Sequence, residues 1–112
     1  MDISTNTHNV DIVVVELKGR LDAFESTDVR ALLTGEIEAG RCRIVIDLSA
    51  IEFVDSAGLA ALVQAMKRAR ENGGDVRIVQ PIDPVAYRVF ELTKFDQVFT
   101  IGSSSEELVS GW

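Results

Sequence analysis

The chain has 112 residues, with 11 basic and 18 acidic side chains, a formal net charge of -7 and an isoelectric point near 4.6. Hydrophobic residues make up 46% and charged residues 26%, the proportions of a chain that folds around a core, and the length suits one domain. The acidic balance argues against nucleic acid or an anionic membrane surface as partner, because phosphates demand a basic face.

Ile3 to Thr5 forms a weak first strand, and Asn9 marks a turn before the strongly apolar Ile12-Val13-Val14-Val15. This pattern predicts a hairpin whose second strand ends near Leu17, broken by Gly19 and the Arg20-Leu21-Asp22 segment. From about Ser26 the spacing becomes helical, with Val29, Leu32, Leu33 and Ile37 on one face and Arg30, Glu36 and Glu38 on the other. Asp22 or Ser26 caps the start, and Gly40 stops the helix. Ile44-Val45-Ile46 is continuously apolar and β-branched, so it reads as a covered central strand ending near Leu48. A connection from Ser49 to Asp55 leads to a second helix, with Leu59, Leu62, Val63 and Met66 inward and Lys67, Arg68, Arg70 and Glu71 in water. Gly73-Gly74 ends that helix.

Val76 to Val79 is the next strand, stopped by Pro81. Asp83-Pro84 starts a third helix, because Asp caps and Pro needs no amide proton in the first turn. Val85, Val89 and Leu92 are expected to face inward there. Val98 to Ile101 gives the last strand. Ser103 with Glu106, or Ser104 with Glu107, has capping-box spacing before a short terminal helix. The order β-β-α-β-α-β-α-β-α predicts an α/β domain with a mostly parallel central sheet and an antiparallel N-terminal hairpin. In such sheets, ligands and chemistry collect where strand ends meet helix starts.

The most informative stretch runs from Ile46 to Leu59. Ser56 falls at the turn into the second helix, where its hydroxyl can cap the first turn. Asp55 adds negative charge at the positive end of the helix dipole. Gly58 lets another backbone or a bulky group come close. Beyond capping, Ser56 can serve as a switch. Phosphorylation adds about -1.5 to -2 charges at a helix start whose amides can receive phosphate oxygens.

The segment IDLSAIEFVDSAGLAALV resembles the phosphorylation-site signature of STAS domains, the anti-sigma factor antagonists and related domains of sulphate transporters. The earlier VVVELKGRLDAFES is similar to the family's second strand and its Gly-x-Leu-Asp turn. The element order matches throughout, so residues 1–112 are read as one STAS domain. The resemblance implies a binding protein rather than an enzyme. Unphosphorylated, it would bind an anti-sigma factor and release the sigma factor held there. That anti-sigma factor would also be a serine kinase of the GHKL-type ATP-binding fold, acting on Ser56. A metal-dependent serine phosphatase would reset the switch. Asp22 matches the family aspartate near the serine and Asp55 the acidic residue before it, while Ala57 stands where many members have Ser or Thr. The partner surface would centre on Ser56, Ala57, Gly58 and Leu59, with Asp22 and Asp55 beside it. Taken alone, Asp22 also reads as a turn or cap residue.

The alternative is a STAS interaction module of a larger sensory assembly or of a transport system. Catalysis is poorly supported. Val54 replaces the first Gly of a G-x-S-x-G elbow, and His8 is the only histidine. No phosphate-binding glycine loop occurs, and no metal or cofactor is expected. Cys42 has no disulfide partner and reads as a small apolar filler in a cytoplasmic protein. The N-terminal residues lack the features of a secretory leader, and no apolar run approaches the roughly 18 residues needed to cross a bilayer. Phe90, Phe95 and Phe99 are expected in the core, Trp112 as a loosely packed terminal side chain, and Lys67, Arg68 and Arg70 as a solvated helix face.

Overall fold

The computed structural model describes residues 1–7 and 11–112. The elements are β1 (Asp2–Thr7), β2 (Ile12–Leu21), α1 (Ala23–Glu38), β3 (Arg43–Val54), α2 (Ser56–Glu71), β4 (Asp75–Val79), α3 (Pro84–Leu92), a 3-10 turn (Phe95–Gln97), β5 (Thr100–Gly102) and α4 (Ser105–Ser110). The strands lie side by side in sequence order. β1 runs antiparallel to β2, and β2 to β5 run parallel. The predicted α/β order and the mixed sheet are therefore observed. The turn expected at Asn9 lies outside the described residues, as does His8.

The alternation of strand side chains divides the interior in two. Val13, Val15, Ile44, Ile46, Val76 and Ile78 point to the face covered by α1, α2 and α3. Val14, Val45 and Val79 point to the other face, beneath Leu108 of α4. This explains why Ile12–Val15 and Ile44–Ile46 read as unbroken apolar runs: both strands are covered on both faces. Each fully buried aliphatic side chain there contributes about 1.5–3 kcal/mol relative to exposure.

Several expectations need correction. β2 continues past Leu17 to Leu21, and β3 continues past Leu48 to Val54, because the two pair along their whole length from Ile12↔Arg43 to Leu21↔Val54. Register shifts between Glu16 and Lys18 and between Gly19 and Arg20 place the extra residues on β3, and Gly19 stays in the strand with φ 107, which glycine tolerates. The first helix accordingly starts at Ala23, capped by Asp22, and Ser26 is a buried residue inside it. In α3 the buried side chains are Ala86 and Phe90, whereas Val85 and Leu92 are exposed and Val89 is half-buried. The last strand begins at Thr100 rather than Val98. Trp112 is half-buried, with the Arg77 guanidinium 4.0 Å above its ring, so it closes the second face instead of hanging loose.

The cap expectations hold where Asp83 accepts from Val85 and Ala86, and where Ser104 accepts from Glu107. Glu107 returns to the Ser103 amide and hydroxyl. Cys42 packs against the core as a free thiol, and Phe90 and Phe99 are buried with Phe95 against them.

Candidate functional site

β2 and β3 end as neighbours, with Leu21 paired to Val54. Each runs directly into an aspartate and then a helix. Asp22 has φ -113 and ψ -176, and Asp55 has φ -114 and ψ -177, so the two turns share one conformation. The starts of α1 and α2 are thereby placed side by side at the same end of the sheet.

Three hydrogen bonds fix that corner. Asp55 Oδ1 accepts from the Gly58 amide at 2.9 Å, the bond of an N-cap. Its Oδ2 accepts from the Ala23 amide, the first residue of α1, at 3.0 Å. The Asp55 amide donates to the Leu21 carbonyl at 3.2 Å. One carboxylate thus serves two helix starts, each carrying partial positive charge that it offsets. Asp22 caps α1 through the Glu25 amide at 3.0 Å.

Gly58 explains itself by distance. A Cβ there would stand 2.4 Å from the Leu21 carbonyl oxygen and 2.8 Å from Leu21 Cγ. α2 meets the end of β2 so closely that only a hydrogen fits. The expectation that Gly58 permits close backbone approach is met.

Asp55, not Ser56, occupies the N-cap position. Asp and Ser cap comparably well, and the one with extended backbone takes the role. Ser56 is instead the first helical residue and is exposed. The amides of Ser56 and Ala57 belong to the first turn, which has no acceptors within the helix. Ala57 is half-buried. Leu59 is buried in the core, so it supports the turn from beneath and does not present itself at the surface.

Two features escaped the sequence. Phe24, in the first turn of α1, is 86% exposed. It lies off the buried stripe of Ser26, Val29, Leu33 and Ile37, and that phase mismatch is the signal that marks it. Arg20 lays its guanidinium 4.1 Å above the Phe53 ring and reaches Asp22 Oδ2 at 3.8 Å. The corner therefore combines an exposed hydroxyl, an exposed aromatic ring and two carboxylates committed to capping.

Comparison with known proteins agrees with this architecture. The STAS domain family model matches residues 4–108, and the chain belongs to that family. The Anti-sigma F factor antagonist of Paenibacillus polymyxa is 26% identical over 95 residues, covering 84% of this chain and 80% of that protein. The Anti-sigma-B factor antagonist of Staphylococcus aureus is 24% identical over 106 residues, covering 95% and 96%. Among solved structures, the anti-sigma factor antagonist SpoIIAA in its unphosphorylated form superposes with a TM-score of 0.82 at 21% identity, covering 96% of this chain and 93% of that one. The phosphorylated form of the Bacillus SpoIIAA superposes with a TM-score of 0.75 at 19% identity, covering 97% of both chains.

Proposed function

We propose that this STAS domain is an anti-sigma factor antagonist whose binding is switched at Ser56. Unphosphorylated, it docks on a GHKL-type anti-sigma kinase and frees the sigma factor. Phosphorylated on Ser56, it lets go, and a metal-dependent serine phosphatase returns it to the binding state. The observation that carries this reading is the exposed Ser56 hydroxyl on the first turn of α2, beside a corner rigidly held by Asp55.

In the transfer step, Ser56 Oγ attacks the γ-phosphorus of kinase-bound ATP and the bond to the ADP oxygen breaks. The hydroxyl proton leaves to a base. Both Asp55 oxygens already accept amide hydrogens, and Asp22 Oδ1 does the same. Asp55 therefore holds the turn that carries the serine. Asp22 Oδ2 accepts no hydrogen bond among the described residues and stands 3.8 Å from Arg20, so the proton goes to that carboxylate or to a base of the kinase. The product charge moves from -7 to about -9, concentrated at the centre of the docking surface. The free first-turn amides of α2 can receive phosphate oxygens, so the fold tolerates the group while a docked partner does not.

These exchanges take place in the cytoplasm, where ATP and sigma factors meet. No helix among the described residues is long and apolar enough to cross a membrane. The test is to incubate the chain with a co-purifying kinase and ATP and map the product by mass spectrometry. Phosphate on Ser56 is expected; phosphate elsewhere, or none, would remove the switch.

A further inference from the structure

α3 carries apolar side chains on two adjoining faces. Ala86 and Phe90 are 1% exposed against the sheet, while Val85 and Leu92 are 69% exposed and Ile82, just before the helix, is 80% exposed. Val85, Val89 and Leu92 recur at the spacing of a single helix face. With Pro84 and Arg88 they line an open groove. The fold buries the inner stripe and one side of Val89, and the Ser56 corner lies on other helices, so Val85, Leu92 and Ile82 are left in water without a role.

The charges around the stripe say what fits it. The chain carries -7 overall, yet residues 83–94 hold two acidic side chains, Asp83 and Glu91, and two basic ones, Arg88 and Lys94. The segment is locally neutral, so contact there adds no local repulsion to that of the two net charges. The order along the helix is also self-complementary. A twofold axis across α3, between Arg88 and Val89, sets Val85 against Leu92 of the second copy. The same axis sets Asp83 against the Lys94 of that copy, and brings Arg88 within a helical turn of its Glu91. Each contact then occurs twice, as an isologous interface requires.

We propose that two copies of this chain associate through α3, packed antiparallel around that axis. A pair of nine-residue helices falls below the roughly 800 Å² per partner of a standard interface, so the dimer is a weak and exchanging one. It is independent of the Ser56 switch, and Ser56→Asp dimerises as the wild type does.

Sedimentation equilibrium on the full chain tests this directly. The apparent mass is expected to rise from 12.3 kDa towards twice that value as concentration increases. Leu92→Glu is expected to hold the monomer mass with an unchanged circular dichroism spectrum, and Val85→Asp provides a second variant on the same stripe. Arg88→Glu is expected to weaken association about tenfold, and adding Glu91→Lys to restore it, because the swapped pair is again complementary. A wild type that stays monomeric up to about 1 mM would overturn the proposal. So would a dimer that survives both Leu92→Glu and Val85→Asp. If the wild type is monomeric and Leu92→Glu instead abolishes capture of the anti-sigma kinase, the stripe belongs to that partner and self-association is again refuted.

Discussion

The Asp55 carboxylate accepts the Ala23 amide at 3.0 Å while it caps its own helix, tying the start of α1 to the start of α2. Thirty-two residues separate the two partners in sequence. The bond makes the serine-bearing turn and the turn that carries Phe24 a single unit. A change of charge at Ser56 is therefore felt on a fixed surface and is not absorbed by a yielding loop.

Removing Asp55 should cost more than removing Asp22. Asp55→Ala abandons two amide donors, an expected loss of about 2–3 kcal/mol. Asp22→Ala gives up one cap bond, an expected loss of about 1 kcal/mol. Urea unfolding of both variants, compared at constant m-value, checks the ranking.

Two glycines inside helices should respond in opposite directions. Gly58→Ala forces a Cβ to within 2.4 Å of the Leu21 carbonyl oxygen, and is expected to destabilise by about 2 kcal/mol. Gly35→Ala, in exposed α1 with nothing within 4 Å of the new atom, is expected to stabilise by about 0.5–1 kcal/mol. Thermal unfolding of the two variants separates close approach from simple chain entropy.

Phe24 should matter to binding and not to folding. Its ring is in water, so Phe24→Ser is expected to leave stability within about 0.5 kcal/mol. An aromatic anchor at an interface centre is worth about 2 kcal/mol or more, so affinity for the anti-sigma partner is expected to fall at least about thirtyfold. Titration calorimetry with the captured partner reads this, alongside a melting curve for the variant.

Much of the fold was legible because local chemistry and tertiary demand agree. Ile44-Val45-Ile46 is buried on both faces, Asp83-Pro84 opens a helix, and Ser104 caps the last helix through the Glu107 amide. The lengths of β2 and β3 were not legible. Gly19 and Arg20 look like turn residues, and pairing with Ile51 and Phe53 keeps them in the strand, while Ser49 and Glu52 fall at the register shifts. The turn into α2 was legible from Asp55-Ser56-Ala57-Gly58, but which residue caps it was not. Two good caps stand next to each other, and the sequence cannot show which one adopts the extended backbone. The inward face of α3 is hidden from the sequence for a different reason. Its apolar arc is wide, and the placement of the sheet alone decides that Ala86 and Phe90 go inside while Val85 and Leu92 stay out.

Binding should require an unphosphorylated Ser56. Wild type and Ser56→Asp, side by side as bait in lysate of the source cells, test it most directly. The wild type is expected to retain a GHKL-type kinase. Ser56→Asp, with an unchanged far-ultraviolet circular dichroism spectrum, is expected to lose it by about a hundredfold in affinity, or about 2.8 kcal/mol. Equal retention of the same kinase by both baits would show that charge at Ser56 does not control binding.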